Sequence, residues 1–359
     1  MTLEAEMEQT IFAPSIPVPS VQEIVKKDPL QVPEKYVRGH EEIEKDKHMP
    51  HLSSEIPVID LALLSDGNEE ELSKLDMACK EWGFFQLVNH GAEKEVLQKM
   101  KDTTSEFFKL PIEEKNKISM PSNDIHGYGH DHVIFEEQKL DWHDELVLIT
   151  HPIESRKLSF WPKTPERFKE AIEAYTEEVK QVGEKLLRAM SVIMGMEKDA
   201  LIKLHKELLV TLGLIYYPPC STPEQVVGMS PHSDATTITI LMQHDEVCGL
   251  EIRHKGDWVP VIPKPGALVV NVGDITEIWS NGKYKSIEHR GMTNKNKERT
   301  SYVFFLSPVD DVEVEPLDHF VDDQNVKLYQ KVKFGDYLKE SFKRKLEGKA
   351  HVDVAKIKQ

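Results

Sequence analysis

The chain has 359 residues, of which 39% are hydrophobic and 30% charged, and its formal net charge is −17 at pH 7. This composition predicts a globular protein of one or two domains and argues against nucleic acid or an anionic membrane as a partner. No apolar run approaches the roughly 18 residues of a membrane-spanning helix, and the acidic opening Met1–Glu6 does not resemble a signal peptide.

The three cysteines, Cys79, Cys220 and Cys248, lack metal-binding spacing and suit a reducing compartment. We therefore expect a cytoplasmic protein, and we predict a monomer.

Residues 1–54 are predicted to form an N-terminal arm. Four prolines fall between Pro14 and Pro29, and residues 39–51 are mostly charged or His. We expect a surface segment that is partly mobile.

Residues 55–205 are predicted to be mostly helical. Short strands are expected at Ile56–Leu61 and Phe84–Asn89, and helices at Glu69–Trp82, ended by Gly83, and at Lys94–Phe108. One helix of about seven turns is predicted from apolar residues spaced three and four apart, ending near Gly195. These residues are Phe168, Ile172, Tyr175, Val179, Val182, Leu186, Met190 and Ile193.

The segment Ile125–His132 contains three His and an Asp. It could be a metal cluster, but exposed His-rich loops are common, and we favour that simpler interpretation.

Residues 206–312 change to short β-type runs separated by turn residues, which predicts a sandwich or barrel. The runs are Leu212–Tyr217, Thr237–Met242, Leu250–Arg253, Trp258–Val261, Ala267–Val272, Lys285–His289 and Ser301–Leu306. Residues 313–359 are predicted to form a C-terminal helical segment with a helix at Phe334–Glu347, ended by Gly348.

His232 and Asp234 are two residues apart, so on a strand they point to the same face. Only a fold that brings distant strands together could add His289, 55 residues after Asp234. Two His and one carboxylate on one side of an ion are typical of non-haem iron(II) oxygenases.

Arg299 and Ser301 are also two residues apart, on a segment rich in β-branched and aromatic residues. A buried Arg needs an anionic partner, and its planar group with a neighbouring hydroxyl suits a carboxylate. The alternative is a structural pair with an Asp or Glu of the chain.

His232-Ser233-Asp234, His289 and Arg299-Thr300-Ser301 together resemble the HxD…H…RxS signature of plant 2-oxoglutarate- and iron(II)-dependent dioxygenases. The resemblance covers nearly the whole chain and is closest to the branch of the thebaine and codeine O-demethylases and senescence-related dioxygenases. It extends to Ile16–Glu23, Ile56–Leu61, Trp82–Gly91, Tyr216–Cys220 and Asn271–Asp274.

This resemblance implies a mixed α and β fold with a double-stranded β-helix, or jelly-roll, core braced by helices. It implies iron(II) at His232, Asp234 and His289, which are also the catalytic residues, and 2-oxoglutarate as cosubstrate, with ascorbate as the reductant. The far carboxylate of 2-oxoglutarate would meet Arg299, Ser301 and the Tyr217 hydroxyl. Where the family usually has Asn, two residues before Tyr217, this chain has Ile215.

The implied reaction hydroxylates or O-demethylates an aromatic plant specialised metabolite, such as an alkaloid, flavonoid or coumarin, and releases succinate and CO₂. Phe305, four residues after Ser301, is a candidate for stacking on a planar substrate, with core packing as the alternative. Tyr128, Trp142 and Leu306 are further candidates, and a turn at Gly127-Tyr128-Gly129 would make His130 or His132 a possible contact. The alternative function is a non-oxidative, metal-dependent condensing enzyme on the same fold.

Overall fold

The computed structural model describes residues 12–39, 48–243, 247–343, 348–349 and 351–357. It is a mixed α and β structure, as predicted. The strands, in chain order, are β1 Val58–Asp60, β2 Phe84–Val88, β3 Gly127–Gly129, β4 Asp144–His151, β5 Leu208–Tyr217, β6 Val227–His232, β7 Ile238–Met242, β8 Leu250–His254, β9 Asp257–Pro260, β10 Leu268–Val272, β11 His289–Met292, β12 Arg299–Pro308, β13 Glu313–Val314 and β14 Val332–Lys333.

The helices surround these strands. In chain order they are α1 Val21–Lys27, α2 Leu61–Ser65, α3 Glu69–Met77, α4 Lys94–Phe108, α5 Ile112–Lys115, α6 Phe168–Ile193, α7 Ala200–Leu204, α8 Asp274–Trp279 and α9 Phe334–Phe342. Among the described residues, no helix combines the length and the apolar character needed to cross a bilayer.

Two sheets form the β core. The major sheet has the strand order β1-β2-β10-β7-β12-β5-β4-β3, and the minor sheet has the order β6-β11-β8-β9. Apart from the parallel pair β1–β2, these strands run antiparallel. The two sheets face each other across a cavity lined by residues of both, and the predicted jelly-roll core is confirmed.

Strand β12 shows how the major sheet separates its two faces. Tyr302, Phe304 and Leu306 belong to the large apolar core that includes α6, whereas Val303 and Phe305 pack between the sheets. Successive side chains of a strand point to opposite faces, so one face builds the core and the other lines the cavity.

Helix α6 braces the outer face of the major sheet, as its apolar spacing predicted. Its Gly183 lies against Leu306, where an added Cβ would come within 2.4 Å of Leu306 Cδ2. The helix ends at Ile193, and Gly195 follows with a φ of +76°. The predicted helix α4 is found with the same bounds, and α3 continues as a π-helical turn up to Gly83.

The described part of the N-terminal arm packs against the rest of the protein. Val21 and Tyr36 are fully buried. The Asp144 carboxylate accepts hydrogen bonds from Ser20 Oγ and from the backbone N–H groups of Val21 and Gln22, at 2.8–3.0 Å. These bonds fix the start of α1 to β4, because a carboxylate satisfies the free N–H groups of a helix N-terminus. Residues 1–11 and 40–47 of the predicted arm lie outside the described residues.

Several predicted boundaries differ from the structure. The strand predicted at Lys285–His289 is instead β11, which begins at His289. Strands β4 and β6 were not predicted. Helix α9 ends at Phe342, and residues 344–347 of the predicted C-terminal helix lie outside the described residues. The division of the chain at residues 54, 205 and 312 remains a prediction.

Candidate active site

A cavity with a volume of about 260 Å³ opens between the two sheets. Its walls include His232, Asp234, His289, Arg299 and Ser301, so one space contacts all five residues that the HxD…H…RxS pattern singled out. Most of the remaining wall is apolar, and this combination of an apolar cavity with a few convergent polar groups is typical of small-molecule sites.

The minor sheet brings the two distant parts of the pattern together. His232 ends β6 and His289 begins β11, and the two residues pair directly in the antiparallel ladder. His232 Nε2 lies 3.5 Å and His289 Nε2 3.6 Å from the same Asp234 oxygen, Oδ1. The predicted convergence of these three residues is therefore present in the fold, and their ligand atoms lie within 4.8 Å of one another.

The atoms that face away from this convergence are held by hydrogen bonds. His232 Nδ1 lies 2.8 Å from the Ser230 carbonyl, and His289 Nδ1 lies 3.1 Å from the Ile287 carbonyl. A carbonyl only accepts, so each Nδ1 carries the proton and each Nε2 keeps a lone pair for a ligand.

The third group is oriented in the same way. Asp234 Oδ2 accepts from Thr239 Oγ1 at 2.6 Å and from Asn271 Nδ2 at 2.7 Å, so Oδ1 faces the two imidazoles. Two imidazole nitrogens and one carboxylate oxygen, each fixed from behind, form a donor set that could hold one divalent ion and leave positions open.

The charges of His232, Asp234 and His289 affect one another's pKa values. Burial lowers the pKa of His289 to about 4, helped by the charge of His232. Burial opposes ionisation of Asp234 and His232 as well, but the two imidazoles hold the pKa of Asp234 below its usual range, and Asp234 raises the pKa of His232. The attraction between Asp234 and the imidazoles favours their charged forms, and the repulsion between the two imidazoles disfavours a second positive charge.

Arg299 is 3% exposed and lies at another part of the cavity wall. Its Nη1 donates to Ser301 Oγ at 3.0 Å, and its guanidinium carbon lies 4.0 Å from the centre of the Tyr217 ring. Its Nε has no hydrogen-bond partner, and no described Asp or Glu forms an ion pair with it. The alternative, a structural ion pair between Arg299 and an Asp or Glu, is therefore not found among the described residues.

The backbone leaves room for this guanidinium. A Cβ at Gly249 would lie 2.6 Å from Arg299 Nε, and a Cβ at Gly291 would lie 3.2 Å from both Arg299 Nη2 and the Tyr217 hydroxyl. Burial lowers the pKa of Arg299 and raises that of Tyr217 to about 12, so the pair carries one positive charge at neutral pH.

Phe305 lines the cavity, as its spacing from Ser301 predicted, but Leu306 does not. Because Leu306 is the next residue on the strand, its side chain points to the opposite face and packs on Gly183 of α6. Leu306 was thus wrongly placed at the cavity.

Tyr128 and Trp142 do not line the cavity either. Tyr128 is in the core beside Phe107, with Lys115 Nζ 5.2 Å from its ring centre. Trp142 is 1% exposed and packs edge-on against Tyr36, and its Nε1 donates to a backbone carbonyl. Both rings fix the N-terminal arm and the β3–β4 hairpin to the core.

The His-rich loop does not gather its three imidazoles around one point. His126 bonds to Asp124, and His130 Nε2 accepts from the Val18 N–H, whereas His132 lines the cavity. The expected turn at residues 127–129 is strand β3, paired with β4.

Sequence reasoning missed two kinds of residue. Thr239 and Asn271, which hold Asp234, come from strands β7 and β10, and the motif that includes Asn271 was noted without a role. Asp131 and Glu145 line the cavity, and with His143 they form a second cluster with ligand atoms within 4.8 Å. The alternation of residues along β4 could have predicted which face of the strand carries Glu145, but it could not have predicted that Asp131 and His143 lie beside it.

Known proteins provide an independent test of the predicted family. Residues 210–308 match the model of the 2OG-Fe(II) oxygenase superfamily, and residues 56–164 match that of the non-haem dioxygenase in morphine synthesis N-terminal region. The oxoglutarate-dependent flavonoid 7-O-demethylase 1 of Ocimum basilicum is 42% identical, over 99% of this chain and 96% of the relative.

Two further relatives match nearly the whole chain, and the second of them belongs to the predicted branch. S-norcoclaurine synthase 1 of Coptis japonica is 43% identical, over 96% of this chain and 97% of the relative. Codeine O-demethylase of Papaver somniferum is 37% identical, over 95% of this chain and 96% of the relative.

A solved structure, that of JOX2 in complex with 2OG, Fe and JA, superposes with a TM-score of 0.88 and 32% identity, over 96% of this chain and 99% of that one. Together with the family models and relatives, this likeness confirms the resemblance noted from the sequence. The protein belongs to the 2-oxoglutarate- and iron(II)-dependent oxygenase superfamily and is a dioxygenase of the plant branch that contains codeine O-demethylase.

Proposed function

We propose that this dioxygenase hydroxylates or O-demethylates an aromatic plant specialised metabolite, such as an alkaloid, flavonoid or coumarin, and releases succinate and CO₂. The observation that carries the proposal is the single cavity shared by the two-His–Asp cluster, the unpaired Arg299 and an apolar wall that includes Phe305. Each part matches one participant of the reaction: metal, cosubstrate and organic substrate.

His232, Asp234 and His289 would hold iron(II), and the bound metal would supply oxygen activation together with 2-oxoglutarate. The residues of the chain do the rest. The backbone carbonyls behind both Nδ1 atoms fix the imidazole orientation, and Thr239 and Asn271 fix the carboxylate.

Arg299 and Ser301 would bind the far carboxylate of 2-oxoglutarate, with the Tyr217 hydroxyl as a further donor. The support is physical: a buried guanidinium without a carboxylate partner among the described residues is costly to keep, and a dicarboxylate would neutralise it. A charge-assisted hydrogen bond contributes about 1.5–3 kcal/mol, which is enough to hold the cosubstrate in one orientation.

Phe305 and the apolar wall would position a planar organic substrate and exclude water from the reacting carbon. Oxidation of a methoxy carbon would give an unstable hemiacetal that releases formaldehyde, so hydroxylation and O-demethylation differ only in which carbon is presented. We place this chemistry in the cytoplasm, with ascorbate as the reductant.

The test is to supply the purified protein with iron(II), 2-oxoglutarate and ascorbate, and to measure succinate while candidate aromatics are offered. Mass spectrometry then identifies the oxidised product, and formaldehyde reports O-demethylation. Formation of succinate coupled to product is expected; product without consumption of 2-oxoglutarate would contradict the proposal.

A non-oxidative, condensing enzyme is the second candidate, because one relative of 43% identity carries the name of a synthase. A condensation has no use for a dicarboxylate, so Arg299, which lines the cavity without an ion-pair partner among the described residues, favours the oxygenase. The same assay separates them, since a condensing enzyme would form product in the absence of 2-oxoglutarate and oxygen.

A further inference from the structure

A second group of ligand atoms lies in the wall of the same cavity. Asp131, from the β3–β4 connection, and Glu145, on β4, both line the cavity, and His143 lies immediately behind them. Their nearest nitrogen and oxygen atoms are all within 4.8 Å of one another, and none of them belongs to the two-His–Asp cluster. The proposed function gives these three residues no task.

His143 presents an acceptor to this group. The side chain is 1% exposed, and its Nδ1 lies 2.7 Å from the Gly228 carbonyl, so Nδ1 carries the proton of the neutral ring. Its Nε2 has no hydrogen-bond partner in the described part of the chain, and the nearest described carboxylate oxygen, Asp131 Oδ2, is 3.5 Å away. His143 Nε2 therefore donates no hydrogen bond to Asp131 or Glu145, and on this side both carboxylates keep their acceptor atoms free.

The Glu145 carboxylate has no hydrogen-bond partner among the described residues either. Across the sheet its position pairs with Ile215 on β5, which in turn pairs with Ser301 on β12. An isoleucine has no hydrogen-bond donor, so the side chain beside Glu145 on the same face leaves the carboxylate free. No described Lys or Arg forms an ion pair with Glu145 or Asp131.

The cation that is nearby is already engaged. Arg38 donates to Asp141 and to Ser230 Oγ, and Asp141 also accepts from the Ser230 N–H and Oγ at 2.7 Å. Arg38 thus forms its ion pair with Asp141, and Asp131, which lies close to both, forms no ion pair of its own with a described Lys or Arg. Consistent with this, burial and then the charge of Asp131 raise the pKa of Glu145 to about 7, against a smaller lowering by His143.

We propose that the organic substrate carries a protonated aliphatic amine, which donates hydrogen bonds to the carboxylates of Asp131 and Glu145. This inference rests on the proposed function and narrows its substrate class to nitrogenous bases. An ammonium group supplies both a positive charge and N–H donors to these two carboxylates. The surrounding wall, which includes Ile125, Val147 and Phe305, is apolar and suits the carbon skeleton of such a base.

The same three groups could also accept a divalent cation, and the experiment has to separate the two ligands. Both carboxylates lie in the wall of the cavity that the organic substrate must enter, and this position favours the amine.

The test compares two isosteric probes, 1,2,3,4-tetrahydroisoquinoline, which is protonated at neutral pH, and isochroman, in which oxygen replaces nitrogen. Their binding to the holoenzyme with iron(II) and 2-oxoglutarate is measured by anaerobic calorimetry. We expect the wild type to bind the amine at least about tenfold more tightly than isochroman, the effect of one charge-assisted contact. Glu145→Gln and Asp131→Asn should each remove most of this preference and leave isochroman binding unchanged.

Glu137→Gln is the matched control, because Glu137 is an exposed carboxylate on the same connection. It should keep the full preference. Equal binding of both probes by the wild type would overturn the inference. So would a second equivalent of Zn²⁺ that binds the wild type and is lost in Glu145→Gln, since the cluster would then be a metal site.

Failure of this inference is distinguishable from failure of the proposed function. Succinate formation with neutral aromatics, together with no preference for the amine, would overturn only the amine site. A preference for the amine that disappears in Glu145→Gln, with no succinate formed from any compound, would support the amine site and overturn the oxidation.

Discussion

Two parts of the cavity wall carry ionisable side chains that have no ion-pair partner among described Asp, Glu, Lys and Arg residues, and these side chains are of opposite charge type. Around Arg299 a guanidinium lacks a carboxylate, and around Asp131 and Glu145 two carboxylates lack a Lys or Arg. A fold stabilised only by its own contacts would have paired such groups, because each unpaired charge is expensive when buried. This difference underlies the two proposals made above, an anionic cosubstrate at Arg299 and a cationic substrate group at Asp131 and Glu145.

The metal cluster lies in the wall of the same cavity, so its loss should produce the largest effect. His289→Ala, Asp234→Ala or His232→Ala should abolish turnover and iron binding, because two ligands cannot replace three fixed ones. Circular dichroism should show an intact fold. His51→Ala, a change at an exposed imidazole, is the control and should keep full activity. Near-normal iron-dependent activity in His289→Ala would show that the cluster is wrongly assigned.

The anion-binding part of the wall can be tested against the organic substrate. Arg299→Lys keeps the charge but loses the planar fork, so the KM for 2-oxoglutarate should rise about tenfold or more, roughly 1.4 kcal/mol. The KM for the organic substrate should change little, since the contact with the cosubstrate is the same throughout the reaction. Steady-state kinetics with each substrate varied in turn measures both constants.

Phe305→Ala should have the reverse effect and weaken only the organic substrate, because Phe305 lines the cavity outside the Arg299 contacts. Arg188→Lys, at an ion pair on the outer helix α6, is the control for the Arg change. Equal effects of Arg299→Lys on both KM values would mean that Arg299 supports the fold instead.

The pH dependence of the free energy of unfolding tests whether Glu145 lacks a cationic partner. Burial keeps the proton on Glu145 until about pH 7, whereas the unfolded carboxyl loses it near 4.5. Between these values the folded state binds more protons, so the free energy of unfolding falls as pH rises and the loss is complete above about pH 7. The Glu145→Gln side chain cannot ionise and so avoids this loss. Without ligands, its free energy of unfolding should exceed that of the wild type at about pH 8, by roughly 1 kcal/mol for this half-buried group. Near pH 4.5 the two proteins should have the same free energy of unfolding.

Urea denaturation at both pH values measures this difference, with Glu137→Gln as the exposed control. A gain of the same size at both pH values would show that the effect comes from packing and not from charge.

The smallest effect is expected for the His-rich loop. Replacing His126, His130 and His132 together should leave the iron stoichiometry unchanged, because these imidazoles are engaged elsewhere or lie apart from the metal cluster. Metal analysis after desalting would check this. A loss of iron would mean that the loop contributes a ligand, whereas altered substrate preference with full iron content would support a role of His132 in the cavity.

Local spacing determined a large part of this protein. The three- and four-residue repeat of apolar residues predicted α6, and the two-residue spacing predicted that Phe305 shares a face with Ser301. Together with His289, the motif with His232 and Asp234 was enough to identify the family, because it is specific in combination. The first two features depend on residues that are close in the chain, and the third depends on a motif whose residues come together in a known family.

Only the tertiary structure decided which faces meet. The spacing of residues could not show that Leu306 packs on α6, because either face of its strand could have lined the cavity. It also could not show that Trp142 packs under the N-terminal arm. It also could not bring Asp131 to Glu145 and His143, because the path of the β3–β4 connection and the pairing of β4 with β5 set that convergence. The position of these carboxylates side by side in the cavity wall is therefore a property of the fold and not of local sequence.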